Sequence, residues 1–515
     1  MAMNRAERRR AEREQRKAAA TMDPGALFTE ALAHHNEGRV AEALKLAERA
    51  LSADKSHVDA LQLAGMAAIQ LRDTDKALRY LADKTRLDPD NPHGHVNHGA
   101  ALQMAGDLDQ AAECFRRAIA LDAGMADAHT NLGVTLRDLS RFAEAEETMR
   151  RALDISPGDA RLMVSLASVV QARGRIDEAI TLYDQVLAIN PGHEDTIYKR
   201  SLCHFAKGDF ARGQQDHESR WAAETFDSKW RDYSEAPWRG EPLSGKRILV
   251  WAEQGVGDHI IFLGSLPALI AEGGSCVFQC DQRLVTLFAR SLPAAKIVPD
   301  KSESQYPDID FQIPAASFAL QRRIELPGQY PLGRYLQADP ERSAEIKARL
   351  ADQAPGRPVI GIAWRSSRVK AGPWKSMPLD LWGPILSRRE ALFVNLQYGE
   401  TDDEIAAARA ATGADIFTDP HIDRFNDFEG LAALIDSLDL VITTSNVTAH
   451  FAGALGKTCL LALQVTPLWY WGMKETPIPL YSSVESFWQS TENAWGDVVG
   501  EIAARLDDHL ANSEK

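Results

Sequence analysis

GAALQMAGDLDQAAECFRRAIALDAGMADAHTNLGVTLRDLSRFAEAEETMRRALDIS, residues 99–156, contains one short pattern twice, 34 residues apart. Gly99 and Gly133 take equivalent places, and so do Ala111 and Ala145. The same spacing continues outward from this stretch at Ala43, Ala77, Ala179, Gly65 and Ala167. Small residues at this period let two antiparallel helices approach closely, and one such pair cannot bury its own apolar face. The stretch therefore predicts a stack of helical hairpins.

A period of this length is typical of tetratricopeptide repeats, in which proline follows the second helix. Pro89, Pro157 and Pro191 fall in one phase of the period. We predict an α-helical tetratricopeptide solenoid over residues 24–235, with five repeats and a partial sixth. Trp221 and Trp230 are expected to cover its end.

The groove of such a stack usually holds an extended segment of another protein. Asn97 and Asn131 occupy equivalent positions two residues before the repeat glycine. An amide side chain both donates and accepts, so stacked asparagines can pair with any peptide backbone. This part resembles the arm of O-linked N-acetylglucosamine transferases, which implies a bound acceptor protein. Since other residues interrupt the ladder in the remaining repeats, ordinary polar side chains on a solvated face are the alternative.

Composition excludes several classes of protein. The net charge of -15 disfavours a general nucleic-acid binder, which needs a positive surface. No stretch of about 20 apolar residues that could span a bilayer is present, and residues 1–23 read as a charged, disordered arm rather than a secretory signal. The five cysteines lack zinc-type spacing. We therefore expect a cytoplasmic protein with reduced thiols, no metal and no cofactor.

The second half alternates strands and helices, which predicts parallel sheets covered on both faces. Strands are expected in the first series at Arg247 to Ala252, Cys276 to Cys280, Lys296 to Val298 and Phe311 to Ile313. A second series starts at Pro358, and Val484 to Leu510 is expected to form terminal helices. Two lobes, residues 243–335 and 336–515, make a GT-B architecture of two Rossmann-like lobes plausible.

Three blocks in this half are specific: EQGVGDHIIFLGSLPAL at 253–269, GIAWRSS at 361–367 and DLVITTSNVTAHFAGALGK at 439–457. With them, the chain resembles heptosyltransferase-like glycosyltransferases of family 9, in the bacterial subgroup that carries a tetratricopeptide arm. It is similar in domain order to the transferases that glycosylate flagellin. The resemblance implies a metal-independent GT-B enzyme that uses a nucleotide-activated sugar.

In the first block, Gly255 and Gly257 allow a tight turn, and the helix expected to open at Asp258 offers amide donors to an anion. The resemblance implies that Asp258 is the general base that deprotonates the acceptor hydroxyl. Helix capping is the alternative role for the same aspartate.

The other two blocks carry the expected donor site. Trp364, Arg365 and Ser366 end a strand, Lys375 follows, and Gln397 ends the next strand. Arg365 and Lys375 would stabilise the leaving phosphate, with surface ion pairing as the alternative. In the third block the expected donor-binding residues are Ser445, Asn446, Thr448 and His450, at the start of a helix whose dipole favours phosphate. For His450, the alternative is a structural role.

Ser445 departs from the aspartate found in many heptosyltransferases. This difference weakens any transfer of heptose specificity and leaves room for another donor, including a cytidylate-linked nonulosonic acid. We predict an inverting transfer of sugar to a protein hydroxyl, with flagellin Ser or Thr as the plausible acceptor. A lipopolysaccharide or other glycan acceptor, and a non-catalytic tetratricopeptide adaptor, are the alternatives.

Overall fold

The computed structural model describes residues 23–300, 306, 308–325, 327–366 and 372–513. Most of the predicted charged arm, residues 1–22, lies outside this part. The described residues form two compact units, which divide between residues 169 and 170.

The described part of the first unit is helical, and its helices follow one another in antiparallel pairs. Their bounds are α1 Pro24–Asn36, α2 Val40–Ala53, α3 Val58–Gln70, α4 Thr74–Leu87, α5 Pro92–Ala105, α6 Leu108–Leu121, α7 Ala126–Asp138 and α8 Phe142–Ile155. The next helix, α9, spans Ala160–Ala172 and contains the boundary between the units. The predicted helical repeat region is confirmed.

Each repeat glycine faces a large side chain of the second helix in its own pair. A Cβ atom added to Gly65 would lie 2.4 Å from Leu81 Cγ, and one added to Gly99 would lie 2.7 Å from Phe115 Cε1. The corresponding distance from Gly133 to Met149 Cγ is 2.6 Å. Because real Cβ atoms do not approach so closely, the period of small residues is a packing requirement of the hairpin.

The second unit begins with further helices, α10 Ile176–Ile189, α11 Glu194–Ala206 and α12 Phe210–His217. A short 3₁₀ helix, Glu218–Trp221, ends this series. Trp221 and Trp230 pack edge to face, and both contact Trp251 of the first long strand, with ring centroids 5.3 and 5.6 Å from it. Both tryptophans therefore pack against the sheet that follows the helices.

The first sheet is parallel and has the strand order β1-β5-β2-β3-β4. Its strands are β1 Ala236–Pro237, β2 Arg247–Trp251, β3 Ser275–Cys280, β4 Lys296–Pro299 and β5 Phe311–Pro314. Its helices are α13 Val256–Leu263, α14 Leu266–Ala271, α15 Val285–Ser291 and α16 Ala315–Glu325. A further helix, α17 Pro340–Gln353, precedes the second sheet.

The second sheet is also parallel, with the order β11-β10-β9-β6-β7-β8. Its strands are β6 Val359–Ala363, β7 Leu392–Asn395, β8 Ile416–Phe417, β9 Leu440–Thr444, β10 Cys459–Leu463 and β11 Val484–Trp488. The helices are α18 Gly372–Lys375, α19 Gly383–Leu386, α20 Asp402–Thr412, α21 Phe428–Asp436, α22 Val447–Ala454 and α23 Trp495–Ser513. The fully buried central strands explain the continuous apolar runs in the sequence.

Two element predictions are wrong. Val484–Trp488 is a strand that pairs with β10, and the terminal helix begins only at Trp495. The helix expected to open at Asp258 instead begins at Val256. A short apolar run does not distinguish a strand from a helix, so a parallel edge strand can be predicted as a helix from the sequence.

Candidate functional site

A cavity of about 360 Å³ lies where the carboxyl ends of β2 and β9 lead into α13 and α22. Of the predicted site residues, the structure brings eight to this cavity. They are Gly255, Gly257, Asp258, Ser366, Lys375, Ser445, Asn446 and His450. All three sequence blocks therefore contribute to one site. Cavities at the carboxyl ends of parallel strands are the usual ligand sites of such sheets.

Asp258 lies in the first turn of α13, at the third helical position. One of its carboxylate oxygens accepts a hydrogen bond of 3.0 Å from the amide of Gly255, the residue that precedes the helix. The aspartate thus does cap the helix, although by reaching back to the turn instead of preceding the helix. Asp258 is also half-buried and lines the cavity, so capping and contact with a ligand are compatible.

The turn before α13 is anchored from its other end by a buried ion pair. Glu253 accepts hydrogen bonds from Arg220 Nε at 3.0 Å and Nη2 at 3.2 Å, and a third from the amide of Ala316 at 2.8 Å. Both side chains of the ion pair are fully buried. Since a buried charge is tolerated only when it is paired and hydrogen-bonded, these contacts fix the start of the turn.

Asn446 caps α22. Its Oδ1 accepts from the amide of Thr448 at 2.9 Å, and its Nδ2 donates to the carbonyl of Arg365 at 3.3 Å. Ser445 accepts a hydrogen bond from Trp471 Nε1 at 3.1 Å. Thr448 is buried and does not line the cavity. The cap residue therefore joins the second and third sequence blocks at the start of a helix that faces the cavity.

His450 lies in the middle of α22 and is almost completely buried. Its ring stacks on Trp471, with centroids 5.2 Å apart and an interplanar angle of 11°, and its Nδ1 is 3.2 Å from Tyr481 Oη. Burial, followed by the nearby charge of Lys375, lowers the pKa of His450 to about 3. At neutral pH the ring is therefore uncharged, and it can offer a hydrogen bond but not a positive charge.

The structure does not bring Trp364, Arg365 or Gln397 to the cavity wall. Arg365 Nη1 pairs with Glu404 at 2.5 Å, and Trp364 Nε1 donates to the same carboxylate at 3.1 Å. Gln397 Oε1 accepts from the amides of both residues, at 3.0 and 2.9 Å. These three side chains shape the loop that presents Ser366 to the cavity.

Sequence reasoning missed two arginines that line the cavity, Arg283 and Arg424. Arg283 pairs with Asp281 at 2.8 Å and lies over the ring of Phe428, 4.3 Å from its centroid. Arg424 donates its Nε–H to the carbonyl of Gln397 at 2.8 Å, and burial lowers the pKa of this guanidinium. Arg283 lies three residues after β3, so the strand end was a signal for it. Arg424 lies seven residues after β8 and had no such signal.

The opposite wall is aromatic and includes residues of the last helical pair. Tyr198 and Leu202 of α11 line the cavity together with Trp469 and Tyr470. Trp469 packs against Phe205 of α11, with centroids 4.9 Å apart. In the LWYW stretch at 468–471, the first three residues line the cavity, and Trp469 also packs against α11.

The cavity has the chemistry of an anion site beside a carboxylate. Two helix starts, those of α13 and α22, and three cations, Lys375, Arg283 and Arg424, face it. Helix starts carry partial positive charge and amide donors, and buried cations stabilise phosphate. Among the described residues, no group of three or more His, Cys, Asp or Glu side chains could hold a metal ion.

Asn97 and Asn131 lie on α5 and α7 in the first unit. Both are half-buried, and neither side-chain amide bonds to another residue within the described ranges. Their expected role in holding a polypeptide backbone stays a prediction.

Models of the tetratricopeptide repeat match residues 34–95, 97–160 and 160–190. Protein FlbA of Caulobacter vibrioides is 29% identical over 333 residues, which cover 61% of this chain and 55% of FlbA. The chain thus spans about half the length of this relative. Such repeats are protein-binding modules, and no helix in the described ranges is long and apolar enough to cross a membrane.

Solved structures with similarity to this chain include MamA and a tetratricopeptide repeat protein. MamA is 23% identical, with 32% of this chain and 90% of MamA covered and a TM-score of 0.31. A tetratricopeptide repeat protein from Parabacteroides merdae is 16% identical, with 39% of this chain and 81% of that protein covered and a TM-score of 0.36.

Proposed function

We propose that the chain is an inverting glycosyltransferase of GT-B type that moves a sugar from a nucleotide-activated donor to a hydroxyl of a protein. The acceptor hydroxyl would lose its proton to Asp258 as its oxygen attacks the anomeric carbon. The bond from that carbon to the donor phosphate breaks on the opposite face, and the nucleotide leaves with the electron pair. The family 9 resemblance of the three sequence blocks agrees with this chemistry.

One observation carries the proposal: a carboxylate, two helix starts and Lys375 line the same cavity between the two parallel sheets. The developing charge on the leaving phosphate requires fixed cations and amides, and the sheet helices supply both. Arg424 and Arg283 line the cavity and take the part in phosphate binding that sequence reasoning gave to Arg365, which does not reach the cavity wall. Arg424 carries more of this part, because the charge of Arg283 is shared with Asp281.

A protein acceptor is favoured because the chain combines this cavity with tetratricopeptide repeats. The name of the relative FlbA suggests a flagellar connection, which agrees with flagellin as the acceptor. A cytoplasmic location, ahead of export of the acceptor, belongs to the same proposal.

Asp258→Asn tests the catalytic step. The amide oxygen can still accept from the Gly255 amide, so the cap of α13 is retained, but the side chain cannot take a proton. We expect transfer to fall by about 10² to 10⁴-fold, as for loss of a general base. Asp310→Asn is the matched control, because Asp310 also accepts from a backbone amide, that of Arg247 at 2.8 Å, outside the cavity. Full activity of Asp258→Asn would exclude the base.

Thermal unfolding with a panel of uridine, guanosine, adenosine, thymidine and cytidine nucleotides tests the donor. A ligand that binds the folded state at 100 times its Kd stabilises by about 2.7 kcal/mol. We expect the nucleotides of one base to raise the unfolding temperature most, and the analogy with nonulosonic acid donors favours cytidine. If no nucleotide shifts the transition of the second unit, the adaptor alternative is preferred.

A further inference from the structure

The segment of residues 222–235 contains no helix or strand and connects the last 3₁₀ turn of the helical region to β1. We call it the linking segment. Its first part is held by Asp195, in the first turn of α11. Asp195 accepts from the amides of Glu224 and Thr225, at 3.3 and 3.0 Å, and from the Thr225 hydroxyl at 2.5 Å. The linking segment is thus fastened to a helix of the repeat region.

Three residues after Thr225, the linking segment contacts the turn that precedes α13. Ser228 Oγ accepts a hydrogen bond of 2.9 Å from the amide of Gln254. Gln254 has a φ of +65°, in the left-handed region. This conformation is unfavourable for a residue with a side chain, so the surroundings of Gln254 must hold it there.

Phe226 lies between the two parts of the linking segment that are held by hydrogen bonds, Thr225 at Asp195 and Ser228 at Gln254. Its ring packs against Tyr198 of α11 at 5.5 Å between centroids and edge to face against Trp221 at 5.4 Å. Phe226 and Ser228 also line the cavity. The path from α11 to the turn is therefore continuous, through packed rings and hydrogen bonds.

The conformation of Gln254 decides where the next residues point. Gly255 follows it directly, and the Gly255 amide donates to Asp258. If Gln254 left the left-handed region, the Gly255 peptide would turn and Asp258 would lose this contact.

We propose that Ser228 is a positioning residue that holds Gln254 in its left-handed conformation, so that the linking segment fixes Asp258 in the cavity. This inference rests on the proposed function for its kinetic consequence only. Asp195 acts one step further away, by fastening the linking segment to α11.

A double-mutant cycle of Ser228→Ala with Gln254→Gly tests whether Ser228 acts by holding the left-handed conformation of residue 254. Glycine adopts the left-handed conformation without cost, so it needs no support from Ser228. We expect Ser228→Ala to lower kcat about tenfold, which corresponds to about 1.4 kcal/mol and is within the range of one hydrogen bond, with the donor KM changed less than about twofold. In the Gln254→Gly background the same substitution is expected to cost less than about threefold. An equal loss in both backgrounds would overturn the proposal.

Hydrogen exchange of the peptide that covers residues 252–258 gives a readout that does not depend on catalysis. We expect faster exchange in Ser228→Ala and recovery in Ser228→Thr, which keeps the hydroxyl. Ser234→Ala is the matched control, since Ser234 is an exposed serine of the same segment with no hydrogen bond to the residues described. Exchange in Ser228→Ala identical to that in Ser234→Ala would also overturn the proposal.

The two readouts separate the two proposals. If the wild-type chain transfers no sugar from any nucleotide donor, the proposed function fails, while the exchange data still decide whether Ser228 holds the turn. If transfer occurs and Ser228→Ala changes neither kcat nor exchange, only the positioning role fails. Thermal unfolding of each variant identifies any loss of fold, and Ser228→Thr then supplies the comparison.

Discussion

Gly257 touches His450, so two residues from different sequence blocks meet at the cavity. A Cβ on Gly257 would lie 3.0 Å from His450 Cδ2, and the histidine ring is held by its stack on Trp471. We expect Gly257→Ala to destabilise the second unit by about 1 kcal/mol, at the low end of overpacking, and to weaken donor binding measured by calorimetry. Gly500→Ala is the control: nothing lies near its Cβ in α23, so helix propensity should stabilise it by up to about 1 kcal/mol. Equal changes in stability in both variants would show that the contact with His450 does not limit the side chain at position 257.

The burial of His450 predicts that the free energy of unfolding depends on pH. Its pKa is about 3 in the folded chain, against 6.5 when unfolded, so the unfolded state binds one more proton between these values. Stability therefore falls as the pH drops from about 6.5 towards 3. We expect His450→Gln to reduce this slope by up to about 1.4 kcal/mol per pH unit, measured by urea unfolding at pH 4.5 to 5.5.

The same measurement at pH 8 isolates the packing cost of the substitution, because histidine is then neutral in both states. Burial also lowers the pKa of His259, to about 4, so part of the wild-type slope should remain in His450→Gln. An unchanged slope would mean that His450 is protonated in the folded chain.

At the scale of elements, the hairpins of the first unit depend on close approach at the repeat glycine. Gly99 and Gly94 both lie on α5, but only Gly99 is crowded. A Cβ on Gly99 would lie 2.7 Å from Phe115, whereas one on Gly94 would meet Lys84 at an ordinary 3.7 Å. We expect Gly99→Ala to destabilise the first unit by about 1–3 kcal/mol and Gly94→Ala to be neutral or stabilising. Thermal unfolding of the two variants checks this, and equal effects would show that helix propensity dominates.

Elements that are specified locally were predictable from the sequence. The glycine and alanine period predicts the hairpins because small residues are needed wherever two helices approach. The strand predictions at Arg247 and Phe311 are confirmed because buried parallel strands read as apolar runs. The strand Val484–Trp488 was mistaken for helix because its pairing with β10 is a tertiary contact.

The candidate site was predictable only in part, for the same reason. The place of Gly255 at the cavity could be predicted, because its glycine-rich turn follows a strand and precedes a helix. Arg365 was assigned to phosphate, yet it pairs with Glu404, 39 residues away in the sequence. Arg424 and Tyr198 reach the cavity from separate loops and helices. Such meetings depend on the whole fold and leave no local pattern.

At the scale of the whole molecule, the proposed function separates recognition of the acceptor from the chemistry. Asn97 and Asn131 lie in the first unit, whereas every residue that lines the cavity belongs to the second. Under the proposed function, a repeat groove that bound the acceptor would raise the effective concentration of its hydroxyl groups for transfer. Substitutions in the groove should therefore change acceptor binding and leave donor chemistry unchanged.

The double substitution Asn97→Ala with Asn131→Ala tests this separation. Two lost backbone hydrogen bonds, at about 1 kcal/mol each, should raise KM for a protein acceptor about tenfold or more, with kcat and donor hydrolysis in water unchanged. Neither side chain bonds to another described residue, so thermal stability should also stay constant. Asn36→Ala, an exposed asparagine at the end of α1, is the control. A wild-type KM in the double variant would show that the two asparagines do not bind the acceptor. A fall in donor hydrolysis would show that substitutions in the first unit affect the chemistry of the second.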